Sequence, residues 1–151
     1  MLLFEEEIPT VEITGKEIGE YTGDKKAFEK AFIDYYQKYL IGKYVTNPVL
    51  GKIWFYNSAS KETISKNQIA IRNLKYIAAV KEVLKNSYCV KNEVIRHPKV
   101  NITKIWQVYG LVKLRKNKRK RLIKITVREY CEKNKKAEDR YYTFDASQIL
   151  K

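Results

Sequence analysis

The sequence is poor in soft metal donors: one histidine, His97, and two cysteines, Cys89 and Cys131, in 151 residues. Neither cysteine belongs to a CxxC pair, so a structural zinc site, which needs four nitrogen or sulfur ligands, is excluded. The two thiols read as core filling, and neither a metal nor an organic cofactor is expected. Acid is scarce too, with 17 Asp and Glu against 31 Lys and Arg, a formal charge of +14. That excess goes beyond what solubility asks for and points to an anionic partner. No apolar run approaches the roughly 20 residues of a membrane span. The opening MLLFEEEIPT follows a short apolar patch with three glutamates and has no basic n-region, so it is a poor signal peptide. The expectation is a soluble, cytoplasmic protein without a membrane partner.

What is present is enough for a core: 44% hydrophobic and 13% aromatic residues, on a chain whose length suits a single domain over residues 1–151. The charge is unevenly spread. Residues 1–20 hold six Glu against one Lys, whereas residues 91–136 hold sixteen Lys and Arg against three Glu, so the C-terminal third is the cationic pole. TVEITG (10–15) alternates like a first strand. Asp24 caps a helix over 24–43 with an apolar stripe through Phe28, Phe32, Tyr35, Tyr36 and Tyr39, stopped by Gly42. Two extended pieces flank a turn at Asn47-Pro48 or Gly51, and a short helical turn starts near Ser58 or Ser60. Residues 68–87 then carry a second long helix with Tyr76, Ile77, Val80, Val83 and Leu84 on one face.

After Pro98 the period changes to two. Trp106, Val108, Val112 and Leu114 share one side of a strand starting near Asn101. Ile123, Ile125 and Val127 share one side of the next, with Lys124, Thr126 and Arg128 opposite. RYYTFDA (140–146) supplies a third strand of a C-terminal antiparallel meander. The expected fold is α+β, two main helices on one face of an antiparallel sheet of four to five strands. The first turn of the meander, LRKNKRKRLIKI, packs six cations into residues 115–121. A bland reading is a hairpin tip that keeps strand edges from pairing. The tip shares its half of the chain with Lys104, Lys113, Lys124, Arg128 and the 133–136 cluster, which favours a phosphate-facing surface of Lys104, Lys113, Arg115, Lys118, Arg119, Arg121, Lys124, Thr126 and Arg128.

VEITGKEIG (11–19), FIDYYQKYLIGKYVTNPVLGKIWF (32–55), KET (61–63), KYIAAVKEVLKNSYCV (75–90) and LIKITVREY (122–130) resemble the large polyvalent protein-associated domains of phages and conjugative elements. These are similar to the nuclease superfamily of barnase, EndoU, the tRNase colicins and RelE. The resemblance implies helices packed on an antiparallel sheet whose open face receives RNA, in the cytoplasm of a bacterial host. It also implies metal-independent cleavage, in which the ribose 2′-hydroxyl attacks the adjacent phosphorus and the protein supplies a base, an acid and cations. Candidates for proton transfer or phosphate contact are Lys61 in the KET match, His97, Tyr109 and Tyr141. Each has a structural rival: a helix-surface lysine, a surface loop histidine, a half-buried tyrosine. The family pattern implies a serine near residue 56 and a histidine near 106–107, where this chain has Tyr56, Trp106 and Gln107. The expected partner is RNA or single-stranded nucleic acid. Alternatives are a non-catalytic binding or decoy domain, and a basic module docking an acidic partner protein such as a host defence complex.

Overall fold

The computed structural model describes residues 8–93, 102–130 and 141–150, with backbone alone for 102 and 103. His97, Cys131 and the 133–136 cluster lie outside the described residues. The elements are β1 (Thr10–Ile13), α1 (Lys25–Tyr39), β2 (Tyr44–Asn47), β3 (Gly51–Trp54), α2 (Ser58–Lys66), a 3₁₀ helix (Ile71–Tyr76), α3 (Ile77–Asn86), β4 (Val90–Glu93), β5 (Ile102–Leu114), β6 (Lys120–Tyr130) and β7 (Tyr141–Ile149).

Helix α1 forms where the stripe and cap place it. The Asp24 carboxylate accepts from the Ala27 amide at 3.1 Å, and Phe28, Phe32 and Tyr36 are buried. Tyr39, read into the stripe, is 43% exposed. The chain leaves the helix through Gly42 at φ +74°, whose amide donates to Phe55 O at 2.9 Å. Expected as one helix, 68–87 is instead a 3₁₀ turn leading into α3. The Asn67 amide group is tied to Thr63 O and Ser147 O, at 2.7 and 3.0 Å, and Ile69 is fully exposed beyond it. The chain therefore turns at 67–70 before the stripe begins. The stripe itself holds: Tyr76, Ile77, Val80, Val83 and Leu84 are all buried.

The fold is α+β, and its sheet is larger and less regular than expected. Seven strands run in the order β1-β5-β6-β7-β3-β2, with β4 pairing along the same edge of β5 as β1. The meander β5-β6-β7 is antiparallel, but β1 joins β5, and β3 joins β7, in parallel. A parallel neighbour needs a long crossover, so these pairings leave no hairpin signal in the sequence. A bulge at Asp145 shifts the β6–β7 register: Thr126 faces Ala146 while Val127 faces Phe144. Beyond it Ile149 lies opposite Ile123, and Gln148 opposite Lys124, the reverse of uninterrupted alternation.

All described helices contribute to one core against one sheet face. Phe32, Tyr36, Ile77, Val80 and Leu84 meet Ile53, Val108, Ile123, Ile125, Val127 and Phe144 there. Tyr36, Phe55 and Phe144 form a ring triad, Phe55–Phe144 at 5.2 Å and Tyr36–Phe144 at 6.2 Å. The Tyr36 hydroxyl donates to Tyr56 O at 2.6 Å, and burial pushes its pKa upward. Helix α3 sits so close to β5 that a Cβ at Gly110 would lie 2.4 Å from Val83 Cγ1. Buried Asn47 ties the β2–β3 turn to the end of α3, donating to Leu84 O and Ser87 O and accepting from the amides of Val49 and Leu50.

Candidate functional site

Strand parity sends alternate side chains of β2, β3, β7, β6 and β5 to the face opposite the helices. In β6 these are Lys124, Thr126, Arg128 and Tyr130, since Ile123, Ile125 and Val127 are buried in the core. The strip expected from the sequence therefore exists. Its members are largely engaged with protein partners. Arg128 Nε lies 3.2 Å from Asp145 Oδ2, with side-chain exposures of 24% and 11%. Thr126 donates to Gln107 Oε1 at 3.0 Å, and the Gln107 amide in turn donates to Glu93. Lys113 lies 3.7 Å from Glu12. Among the described residues no carboxylate pairs with Lys124, which stands between Tyr109 and Gln148.

The same face carries aromatic side chains that the sequence reading did not single out. Tyr44 and Trp54 face each other across β2 and β3 with ring centroids 4.9 Å apart, and Lys52 Nζ lies 4.6 Å from the Tyr44 ring. Trp54 neighbours Thr143 of β7, which neighbours Arg128 of β6. Tyr44 to Arg128 thus spans three inter-strand spacings, about 14 Å. Tyr130 and Tyr141 stack at 5.3 Å and 13°. Beside them a small cleft of about 100 Å³ is lined by residues that include Tyr56, Ser58, Arg128, Tyr130, Tyr141 and Asp145. The signal was available in KIWFY: with Ile53 and Phe55 buried, Lys52, Trp54 and Tyr56 must face the other way.

The remaining expected residues divide between locations. Tyr141 joins Arg128 at the small cleft. Tyr109 is on the same sheet face beside the Glu93–Gln107 contact, and its phenol is raised by burial and by Glu93 and Cys89, so at neutral pH it donates a proton rather than taking one. Lys61 is exposed on α2, the helix whose Ser58 lines the cleft. Lys118 and Arg119 are exposed at the hairpin tip. Lys104 and Arg121 correct the single-flank expectation: they share parity with Trp106, Val112 and Ile123 and lie on the helix side. Lys104 Nζ is 5.6 Å from the Trp106 ring, and Arg121 interacts with the Tyr76 hydroxyl. Arg115 also turns to the helix side, lining a second concavity with Arg72 and Lys75. Alternation along β5 and β6 divides their cations between the two faces, and Arg115, just past the end of β5, follows the turn instead.

Among the described residues no group of three or more His, Cys, Asp or Glu is placed to hold a metal ion. No described helix is long and apolar enough to cross a membrane. Searches of curated proteins and of solved structures returned no match. A family model described as Large polyvalent protein-associated domain 3 matches residues 23–142, from the α1 cap through the first two residues of β7. The match takes in every described helix and the cleft residues up to Tyr141, and on this extent the chain belongs to the Large polyvalent protein-associated domain 3 family.

Proposed function

We propose that the domain engages RNA or single-stranded nucleic acid on its helix-free sheet face, as a metal-independent, ribonuclease-like element of a mobile genetic element. The observation that supports this most is the aromatic row Tyr44–Trp54, with Lys52 over one ring and the Arg128 cleft two strands away. Bases stack on such rings regardless of sequence, and cations between them meet the phosphates. In the ribonuclease reading Arg128 and Lys124 hold phosphate, and Tyr141 donates a proton to the leaving oxygen. The Asp145 carboxylate, turned from Arg128 by the arriving phosphate, takes the 2′-hydroxyl proton.

A binding-only reading is favoured by one feature. Arg128 already faces a carboxylate at 3.2 Å, and phosphate must compete with it. Labelled single-stranded RNA incubated with the protein in EDTA separates the two. Cleavage predicts fragments ending in a cyclic phosphate, lost in Arg128→Gln; binding alone predicts intact RNA whose retention falls steeply with salt. Tyr44→Ala with Trp54→Ala should weaken retention about 5- to 150-fold for each base the two rings stack, the equivalent of about 1–3 kcal/mol per base. Unchanged retention in that double variant removes the platform, and capture of an acidic protein with no RNA retained replaces the proposal.

A further inference from the structure

On the opposite side of the sheet, at the end of the β5–β6 hairpin, a concavity of about 600 Å³ opens between the 14–21 loop, the start of α1, the 3₁₀ helix and residues 114–117. That is the size of a small-molecule site. Tyr21, Phe28 and Leu114 form its apolar part, Tyr21 meeting Phe28 edge-on at 5.3 Å. Arg72 lies over the Tyr21 ring at 5.0 Å, and Lys75, Arg115 and Lys116 enter beside it.

The loop wall is built rather than loose. The Glu17 carboxylate accepts from the amides of Thr14 and Gly15, both at 2.9 Å. Gly15 holds φ +85°, and a Cβ there would sit 3.1 Å from Leu114 Cδ2, so any other residue would strain the backbone and crowd the hairpin base.

The charge in this concavity differs from that on the sheet face. Its one lining carboxylate, Glu20, pairs with Lys16 at 3.1 Å. Among the described residues no carboxylate pairs with Arg72, Lys75, Arg115, Lys116 or Arg121. Lys75 is held below the ordinary lysine range by burial and by the like charges of Arg121 and Arg72. Cations gathered in a half-enclosed cleft repel one another, and what the fold offers them is the rings of Tyr21 and Tyr76 and the Tyr76 hydroxyl rather than an opposite charge. A bound anion would relieve it. An aromatic and apolar wall beside that charge asks for a ligand with a planar base as well as a phosphate.

We propose that this pocket binds a nucleoside 5′-phosphate, its base against Tyr21, Phe28 and Leu114 and its phosphate among Arg72, Lys75 and Arg115. The phosphate comes either from a free nucleotide or from the 5′ end of a strand. Isothermal titration of the whole chain at low salt with each ribonucleoside 5′-monophosphate, with adenosine and with inorganic phosphate tests this. At least one monophosphate should bind at one site, tenfold or more tighter than adenosine or phosphate. Arg72→Gln with Lys75→Gln should lose at least tenfold, while Lys85→Gln, exposed on α3, and the Tyr44→Ala/Trp54→Ala variant should bind as wild type. A single cooperative thermal transition in each variant certifies its fold. A 5′-phosphorylated pentanucleotide binding tenfold tighter than both the monophosphate and its 5′-hydroxyl counterpart assigns the strand end, and equal affinity with the monophosphate assigns the free nucleotide. No saturable monophosphate binding by wild type, equal affinity for inorganic phosphate, or full binding by the Arg72/Lys75 variant overturns the proposal.

Discussion

Either side of the β5–β6 hairpin presents cations, but in different company. On the helix-free face Arg128 is paired with Asp145 and Lys113 with Glu12, which leaves Lys124 and the aromatic rings as the more available features of that surface. On the helix side Arg72, Lys75, Arg115 and Arg121 converge with no carboxylate paired to them among the described residues. A cation paired within the fold is costly to unpair and must exchange its carboxylate for an incoming phosphate, whereas one left among like charges costs stability and is open to an anion. Local cation density therefore does not by itself mark an anion site; the placement of the few acids sets which cations are open.

The largest test of this contrast removes the body that holds both surfaces. Phe144→Ala empties the ring triad with Tyr36 and Phe55 and should lower stability by about 3–5 kcal/mol, measured by urea unfolding followed by circular dichroism. Both surfaces should be lost in one transition; two separate transitions would mean that they belong to independently folding parts.

Next in size is a difference of sign. Arg128→Gln takes the cation from partly buried Asp145 and should lower stability by about 1–3 kcal/mol. Lys75→Gln removes a crowded charge and should raise it at low ionic strength. Because the folded pKa of Lys75 is lowered, the unfolded chain binds more protons between that value and the ordinary lysine value of about 10.4. Wild-type stability from this group therefore rises with pH through that window, and the advantage of Lys75→Gln shrinks there. Thermal midpoints of both variants from pH 7 to 10 read this out. A destabilised Lys75→Gln at pH 7 would erase the distinction.

The smallest effect belongs to the exposed pair. Lys113→Gln breaks the 3.7 Å contact with Glu12 and should change stability by about 0.2–1 kcal/mol at low salt, vanishing at 1 M salt. A larger, salt-insensitive loss would show that the helix-free face relies on this pair as it does on Arg128.

Much of the framework was legible in the residues. The α1 cap and stripe, the turn between 45 and 53, the α3 face and the β5–β6 alternation depend on neighbours within a few positions, and each appears where the residues place it, the exposed Tyr39 at the end of the stripe excepted. The second long helix was overextended because an apolar stripe does not report that Asn67 is pinned to Ser147, eighty residues away. Of the candidate site, Lys124, Thr126, Arg128 and Tyr141 share the helix-free face as parity implied, while Lys104, Arg115 and Arg121 do not. Trp54 could have been read from its alternation with Ile53 and Phe55. Arg72 and Lys75 could not, because they lie on the polar side of their own segment, and only the approach of the 14–21 loop and the hairpin base makes that side a pocket wall.

By itself, then, the sequence determined the local periods, the surplus of positive charge and the hairpin that concentrates it, since all three are set by short-range sterics and residue type. The tertiary structure alone decided which charges are neutralised. The parallel β1–β5 and β3–β7 pairings, the β6–β7 pairing that brings Asp145 beside Arg128, and the closure of the 14–21 loop on Leu114 all join residues far apart in the chain. Electrostatic partnership acts over a few ångströms of space rather than over sequence separation, so it became readable only once those distant segments were brought together.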